Sequence, residues 1–401
     1  MATLWNPKAR KWLRGRKGIF VKIKSSIRDS SAQIVWVHCS SLGEFEQGRP
    51  VIDRVKAQYP GCKFLVTFFS PSGYEVRKNY AGVDHVFYLP MDSRGNAKEF
   101  LGIVDPSLVI FVKYDYWYHY LNEIKQKKIN CLLISAVFRR DQSFFKWYGS
   151  LQRKMLRCFT QILVQNQESK ALLETIGIEH AVVAGDTRFD TVTDNARSFE
   201  PIPIVENFLG MSKCIVAGST WSKDETHLQQ AFAELGNSNF KLVVAPHQID
   251  QSHLDKLKKL FPRSIKFSEL ISGPKSYSNN VLVIDNVGML SRLYRYAHIA
   301  YVGGGFTKDG VHNVLEAAVF GKPVIFGNNY KKYREAIDLV GCGGASSFSD
   351  DRALRQLLGI LFHDEKEYKE KCQASRKYVE LNTGATQKIV AYIEENRLLT
   401  S

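Results

Sequence analysis

The sequence predicts an α/β chain of two doubly wound parallel-sheet domains facing a cleft, and three observations carry that prediction. Short apolar runs alternate with helical patterns almost throughout. A polar, proline-containing stretch near the middle interrupts the cadence, which then restarts. Turns rich in glycine or hydroxyl side chains recur where an apolar run gives way to a helix.

With 401 residues, 44% apolar and 24% charged, the chain can bury large cores and exceeds one ordinary domain. The seven cysteines, at 39, 62, 131, 158, 214, 342 and 372, contain no C-x-x-C. They suggest neither a zinc site nor a disulfide framework and fit a reducing cytosol. No apolar run approaches the roughly 18 residues of a spanning helix, and the N-terminus lacks a secretory apolar region, so the chain as given is expected not to thread a membrane.

Residues 1–30 come first, as a basic arm. Nine Lys and Arg (8, 10, 11, 14, 16, 17, 22, 24 and 28) stand in the first 28 residues without an acid, interleaved with Leu4, Trp5, Trp12, Leu13, Ile19 and Phe20. That pattern reads as a segment for an anionic membrane surface, with a merely solvated basic arm as the plainer alternative. The net charge of +15 also raises nucleic acid, but no RNP, KH, zinc-finger or helix-turn-helix signature accompanies it, and no nucleic-acid partner is expected.

Residues 31–198 form the first domain, its strands marked by QIVWVH, KFLVTFF, HVFYLP, SLVIFV, CLLISA, QILVQN and AVVAG. The patch DNARSFEPIPIVEN, 194–207, supplies the junction. The second domain, 199–383, follows with KCIVAGS, KLVVAPH, VLVIDN, IAYVGGG and KPVIFG. The terminal helical stretch, 384–401, has no strand after it and is expected to cross back to the first domain.

Strand ends at the carboxyl edge of such sheets are where ligands bind. The first end, HCSSLGEFEQGRP, puts Ser41, Gly43 and Glu44 where strand gives way to helix. Glu44 reads equally as a catalytic carboxylate or as a first-turn glutamate. Other first-domain edges carry Ser70 and Ser72 in SPSG, Lys113 and Asp115 in KYDYWYHY, Arg139 in SAVFRR and Arg188 in GDTRFD. The aromatics at 114–120 are expected to pack between domains or line a sugar or lipid pocket, and Arg188 either faces an anion or pairs with Asp190.

In the second domain, YVGGGFTKDGVHNVLEAA ends a strand in Gly303, Gly304 and Gly305 and starts a helix near His312 and Asn313. Close backbone approach at the glycines and free N–H groups at the helix start suit a phosphate, and Glu316 a ribose hydroxyl. Ser219 and Thr220 are either a helix cap or a second phosphate contact, and His247 shares their edge. No D-x-D tripeptide is present, so charge on a nucleotide donor would be met by helix dipoles and cationic side chains, and no metal or cofactor is expected.

Taken in order, these motifs resemble the Kdo transferase family, GT-B glycosyltransferases that move 3-deoxy-D-manno-octulosonic acid from CMP-Kdo to the lipid A precursor. The resemblance runs from about residue 10 to the end. It rests on H-x-x-S-x-G-E (His38, Ser41, Gly43, Glu44), SPSG, YLPMD, the tryptophan of KYDYW, QNQE, GDTRFD, GST, VGGGF…HNVLEAA and GKPVIFG. It implies a GT-B fold, Glu44 as general base for an inverting displacement, and CMP contacts from Ser219, Thr220, Asn313 and Glu316. It also implies phosphate approach at Gly304 and Gly305, with the cytosine near 285–290, including Gly288 and Met289. Location on the cytoplasmic face of the inner membrane follows.

Three departures stand out. Many members read Glu-Thr-Glu-Leu-Trp where this chain has 113–117 KYDYW, which reverses one charge. The family's Pro-Arg-His is Ala245-Pro246-His247 here, and the sequence as given is expected to lack the usual N-terminal hydrophobic anchor, either because it is shortened or because attachment falls to the basic arm. Another GT-B nucleotide-sugar transferase and a non-catalytic lipid- or nucleotide-binding protein are the alternative readings.

Overall fold

A computed structural model describes residues 7–27, 32–234, 240–273 and 279–399. The chain divides into two compact units, Met1–Thr191 with Thr383–Ser401, and Val192–Asn382. The division falls inside the helix Thr187–Arg197, which runs on through the first residues of the stretch expected to be an irregular junction.

The first unit is a seven-stranded, all-parallel sheet in the order β3-β2-β1-β4-β5-β6-β7. Its strands are β1 (Ile34–Cys39), β2 (Lys63–Phe68), β3 (His85–Tyr88), β4 (Leu108–Val112), β5 (Asn130–Ala136), β6 (Gln161–Val164) and β7 (Ala181–Val183). β1, β4 and almost all of β5 are buried along their whole length. This explains why their sequences are continuous apolar runs, since a parallel sheet is covered on both faces. The order reverses between β1 and β4, which pair Val35 with Leu108 and His38 with Phe111.

Two further segments complete this unit. The helix Ala385–Glu395 brings Ile389, Val390 and Ile393 onto one face of the sheet, beside Val37, Val55 and Ile134. It is anchored where Asp190 accepts hydrogen bonds from the Gly384 and Thr386 amides at 2.6 Å. The basic segment is, over its described residues, two helices, Pro7–Arg16 and Ile19–Ser26. Leu4, Trp5 and Arg28 lie outside the described residues.

This segment is more closely tied to the first unit than an arm reading implies. Ile19 and Ile23 are buried in the unit's core with Trp36, Phe100 and Leu121. Arg16 donates from Nε to the Leu89 carbonyl at 2.8 Å and from Nη2 to the Phe69 carbonyl at 2.9 Å, with its guanidinium carbon 4.2 Å from the Trp12 ring. Burial pulls the Arg16 pKa down to about 10. The physical reason is periodicity: Ile19 and Ile23 are one helical turn apart and form an apolar stripe that the sheet covers.

The second unit is also seven-stranded and parallel, in the order β10-β11-β9-β8-β12-β13-β14. Its strands are β8 (Lys213–Thr220), β9 (Phe240–Pro246), β10 (Ser264–Lys266), β11 (Val281–Val283), β12 (Ile299–Val302), β13 (Val324–Gly327) and β14 (Ala345–Phe348). Here the order reverses between β8 and β12, which pair Val302 with Gly218. The unit has its own apolar core, with Leu228, Leu257, Tyr301, Leu354 and Leu358 among its members.

Candidate functional site

In each sheet the sequence-singled residues follow the carboxyl ends of strands, those of the pair where the order reverses and of their neighbours. In an open α/β sheet the flanking connections part company there and leave a crevice.

At the first reversal β1 ends at Cys39 and the helix Leu42–Gln58 begins. Ser41 caps that helix: its Oγ accepts from the Glu44 amide at 3.4 Å, while the Ser41 amide donates to Glu44 Oε2 at 3.2 Å. The Ser40 amide donates to the same oxygen. Glu44 therefore fills the reciprocal capping role its position suggests. Yet all these bonds fall on Oε2, and no hydrogen bond among the described residues reaches Oε1. Burial pushes the Glu44 pKa up to about 7; the Asp115 charge adds to the rise, and the Ser40 and Ser41 amides and Lys113 oppose it. The carboxylate is thus both structural and poised to exchange a proton near neutrality.

The segment after β4 supplies its neighbours. Ser40 Oγ donates to Asp115, 2.5 Å from each carboxylate oxygen, and Asp115 Oδ2 lies 2.9 Å from His38 Nε2. His38 is wholly buried; its Nδ1 meets Thr67 Oγ1 at 2.8 Å, and Trp117 Nε1 donates to its Nε2 at 3.0 Å. Lys113 has φ 70°, a left-handed conformation that disfavours a side chain by about 1 kcal/mol, so the turn is held by its surroundings. Its amide donates to the Ile134 carbonyl at 2.9 Å.

Several expected neighbours join this edge. The Ser70 amide donates to the Ser40 carbonyl at 2.8 Å, and the Ser70 and Ser72 hydroxyls lie 2.7 Å apart at the start of the helix Pro71–Arg77. Gly43 is exposed with open space around it, so neither packing nor backbone shape demands glycine there. Burial raises the Tyr114 pKa, and the charges felt by its ring include Arg139, Arg188, Glu44 and Asp186. These side chains therefore share one neighbourhood.

Two expectations for this unit need correcting. Arg188 pairs with Asp186, at 2.7 Å from Nη2 and 2.9 Å from Nε, because Asp190 is engaged with the Gly384 and Thr386 amides. Of the aromatics at 114–120, Tyr116 packs within the first unit against Phe144 at 4.9 Å, Trp117 against Phe69 at 4.6 Å, and Tyr120 is wholly buried, while Tyr114 and Tyr118 stay exposed.

At the second reversal the glycines serve the backbone first. A side chain at Gly303 would come within 2.3 Å of the Ser219 carbonyl, and one at Gly305 within 2.5 Å of the Gly327 amide. The ends of β8, β12 and β13 close together only because these positions are glycine. Gly304, at φ 89°, donates its amide to Asp224 Oδ2 at 3.0 Å, so that group is not offered to a ligand. Asp224, wholly buried, also accepts from the Trp221 amide at 2.9 Å and the Tyr301 hydroxyl at 2.8 Å. Burial raises its pKa against those three donors.

Thr220 is likewise committed: its buried hydroxyl donates to Glu225 Oε1 at 2.9 Å, and that oxygen faces His253 Nε2 at 2.9 Å. Ser219, at φ 53°, is the more exposed of the pair. The helix expected from 312–313 is only Leu315–Ala318, because Asn313 Oδ1 caps the Leu315 amide at 3.2 Å. Four residues align few peptide dipoles, which weakens the expected helix-end attraction for phosphate. Asn313 Nδ2 donates to Glu316 Oε1 at 3.1 Å, and burial raises the Glu316 pKa.

His247 stacks on Trp221 at 4.4 Å and on His312 at 4.9 Å, and Trp221 Nε1 donates to His312 Nε2 at 3.2 Å. The 285–290 loop joins them, since Leu290 Cδ1 lies 2.4 Å from where a Gly218 side chain would begin. Gly288, at φ 93°, and Met289, which precedes the helix Leu290–Leu293, belong to that loop. Sequence reasoning read Asp224 only as an acid opening the helix and missed the role it shares with Trp221 and Tyr301 in supporting this edge. The signal was present as Trp221-x-x-Asp224, a helix-start pattern in which the carboxylate returns to the amide three residues back. Among the described residues, no group of three or more His, Cys, Asp or Glu side chains is arranged to hold a metal ion.

Residues 13–191 match the family model described as 3-deoxy-D-manno-octulosonic-acid transferase (kdotransferase). The chain is 28% identical over 323 residues to a 3-deoxy-D-manno-octulosonic acid transferase of Aquifex aeolicus, covering 78% of this chain and 82% of that one. It is 25% identical over 389 residues to a bifunctional glycosyltransferase/methyltransferase of Fusobacterium nucleatum, covering 94% of this chain but spanning only 57% of that protein's length. Among solved structures it resembles a UDP-GlcNAc 2-epimerase from Neisseria meningitidis (TM-score 0.64, 17% identity, 90% of this chain and all of that one). It also resembles a glycosyltransferase from Rickettsia africae (TM-score 0.56, 16% identity, 91% of this chain and 98% of that one). Those two likenesses speak to the fold alone.

Proposed function

We propose that the chain is a Kdo transferase of GT-B fold, as its family-model match and its similarity to Kdo transferases support, and that it moves Kdo from CMP-Kdo to a lipid A precursor with inversion of configuration. The observation that carries the proposal is Glu44: half-buried, held through Oε2, open at Oε1, and with its pKa raised to about 7. Glu44 Oε1 accepts the proton of the acceptor's primary hydroxyl as that oxygen bonds to the Kdo anomeric carbon. The bond from that carbon to the CMP phosphate oxygen breaks on the opposite face, and CMP leaves with the electron pair. One displacement suffices, with no covalent intermediate.

Asp115 and His38 set the field around the base, while Lys113, Arg139 and Arg188 supply positive charge for the Kdo carboxylate or an acceptor phosphate. In the second unit, Ser219, Asn313, Glu316, His247 and the 285–290 loop recognise CMP, with Gly305 giving backbone room. Thr220 and Gly304 act by shaping the turn, since their polar groups are spent on Glu225 and Asp224. The reaction uses no metal or cofactor, and the enzyme works as a peripheral protein on the cytoplasmic face of the inner membrane. No described helix is long and apolar enough to cross a membrane.

The test mixes CMP-Kdo and a lipid A precursor with the protein in EDTA and follows CMP release and product mass. Release of CMP with a mass gain of whole Kdo units supports the proposal. Turnover of a UDP-sugar but not CMP-Kdo would favour another GT-B transferase, and ligand binding without turnover would favour a non-catalytic protein.

A further inference from the structure

The basic N-terminal segment is the evident place to look for membrane contact, but the structure buries or packs several of its apolar side chains and leaves only Leu13 and Val21 exposed among those described. Ile19 and Ile23 are core residues, and Trp12 packs edge-on against Phe69 at 5.6 Å. The large aromatic surface the first unit leaves in water lies in another place, the connection after β5. There Trp147 is 91% exposed, Tyr148 58% and Leu151 46%. Isolated surface apolar residues are ordinary, whereas an almost fully exposed tryptophan beside an exposed tyrosine and leucine is a patch.

The connection is built to present these side chains. Arg153 Nη1 donates to the Phe144 carbonyl at 2.9 Å and to the Lys146 carbonyl at 3.0 Å, closing the chain on both sides of Phe145. A side chain at Gly149 would come within 2.0 Å of the Ser143 carbonyl, so the closure also requires that glycine. Phe144 anchors it, buried against Phe138 and Tyr116. Trp147 and Tyr148 meet edge to face at 5.6 Å on this fixed base. Their presentation therefore costs little ordering on binding.

The charge around them selects the partner. Between 139 and 157 stand six Lys or Arg and one acid, Asp141. Arg139, Arg140, Lys146 and Lys154 form no ion pair among the described residues. Aromatic rings with a polar edge, a leucine and cations close by in the same connection are the chemistry of a bilayer interface carrying anionic headgroups.

We propose that the 146–151 turn is a membrane-docking wedge, inserting Trp147, Tyr148 and Leu151 among the headgroups of an anionic bilayer while Arg139, Arg140, Lys146 and Lys154 meet their phosphates. The wedge follows the carboxyl end of β5, on the sheet edge that carries Glu44, and Arg139 is felt by the same Tyr114 ring as Glu44. Docking there brings that edge to the lipid surface. The inference deepens the reading of a lipid-borne acceptor, yet it is tested with neither donor nor acceptor present, so its failure and the failure of that reading are separate results.

The experiment measures co-sedimentation of the full chain with phosphatidylcholine vesicles containing about one quarter phosphatidylglycerol, at low and high salt. Three proteins are compared: the wild type, a Trp147→Ser/Tyr148→Ser/Leu151→Ser variant, and a Leu13→Ser/Val21→Ser variant that changes the exposed apolar side chains of the basic segment. The wedge variant is expected to bind about tenfold more weakly or worse, and the segment variant to stay within about threefold of wild type. Wild-type binding falls as salt rises or as the anionic lipid is removed. Brominated lipids quench the wild type more than Trp147→Phe, which reads the insertion directly without relying on the triple variant's folding. Equal binding by wild type and wedge variant overturns the proposal, as does quenching that Trp147→Phe leaves unchanged. A wild-type self-association that the wedge variant abolishes, with vesicle binding intact, would assign the patch to a second copy of the chain and also overturn it.

Discussion

The two sheet reversals share one topology and divide the work. At the first, the strand ends carry ionisable groups close together: Glu44, shifted to about 7 by burial, feels the charges of Asp115 and Lys113, and Asp115 contacts His38. At the second, Asp224 and Glu225 are engaged with backbone amides, hydroxyls or a histidine, Glu316 accepts from the Asn313 amide group, and the remaining surface is glycine, hydroxyl, amide and stacked imidazole. The first edge stores a proton-transfer capacity; the second stores a shape. The same fold supplies both because the crevice is set by strand order, while its chemistry is set by the few residues that follow each strand.

The strongest way to break that comparison is Glu44→Gln. The amide keeps an oxygen for the Ser40 and Ser41 amides, so thermal stability should change by less than about 1 kcal/mol. Turnover should fall by about 10²- to 10⁴-fold, as for loss of a general base. Wild-type turnover by a folded Glu44→Gln protein would remove the assignment. The second edge should fail differently. Asp224→Asn leaves one of three buried donors without an acceptor, which should cost about 1–3 kcal/mol of stability and weaken CMP binding measured by calorimetry. The acid limb of whatever activity remains should stay where it is in the wild type; a moved limb would show that the edges are not separable.

Smaller effects sharpen the contrast. Asp115 raises the Glu44 pKa by charge, so Asp115→Asn should move the acid limb of the pH profile downward, by about one unit or less. A limb that moves upward would mean that Asp115 acts through geometry instead. Stability carries the same signature. A carboxyl group whose pKa is higher folded than unfolded binds protons more tightly in the native state, so its contribution declines as pH rises from the usual carboxylate range towards 7. Denaturant titrations should therefore show wild type losing ground to Glu44→Gln across that window and running parallel to it on either side.

Much of this was legible in the sequence because buried parallel strands announce themselves as apolar runs and their carboxyl ends as turn residues. His38, Glu44, Asp115 and Lys113 were all visible there, and they do meet at one edge. What the sequence concealed was commitment. Thr220 and Gly304 look like ligand groups until Glu225, 5 residues on from the first, and Asp224, 80 residues before the second, are seen to accept their hydrogen bonds. Arg188 had two acids within reach, and only the return of the terminal helix to Asp190 decides between them. The basic segment reads as amphipathic in isolation; which surface takes Ile19 and Ile23 is a tertiary question, and the sheet takes them. Long-range partners of this kind leave no local pattern.

The central claim is that a carboxylate at the first reversal, poised near neutrality, performs the proton transfer. Its most direct test is the pH dependence of kcat/KM for CMP-Kdo and a lipid A precursor. Because Glu44 must be ionised to accept a proton and its pKa lies at about 7, the rate should fall tenfold per pH unit below that value and level off above it. A rate that stays level from about pH 8 down to pH 5, with its acid limb in the ordinary carboxylate range, would contradict the account.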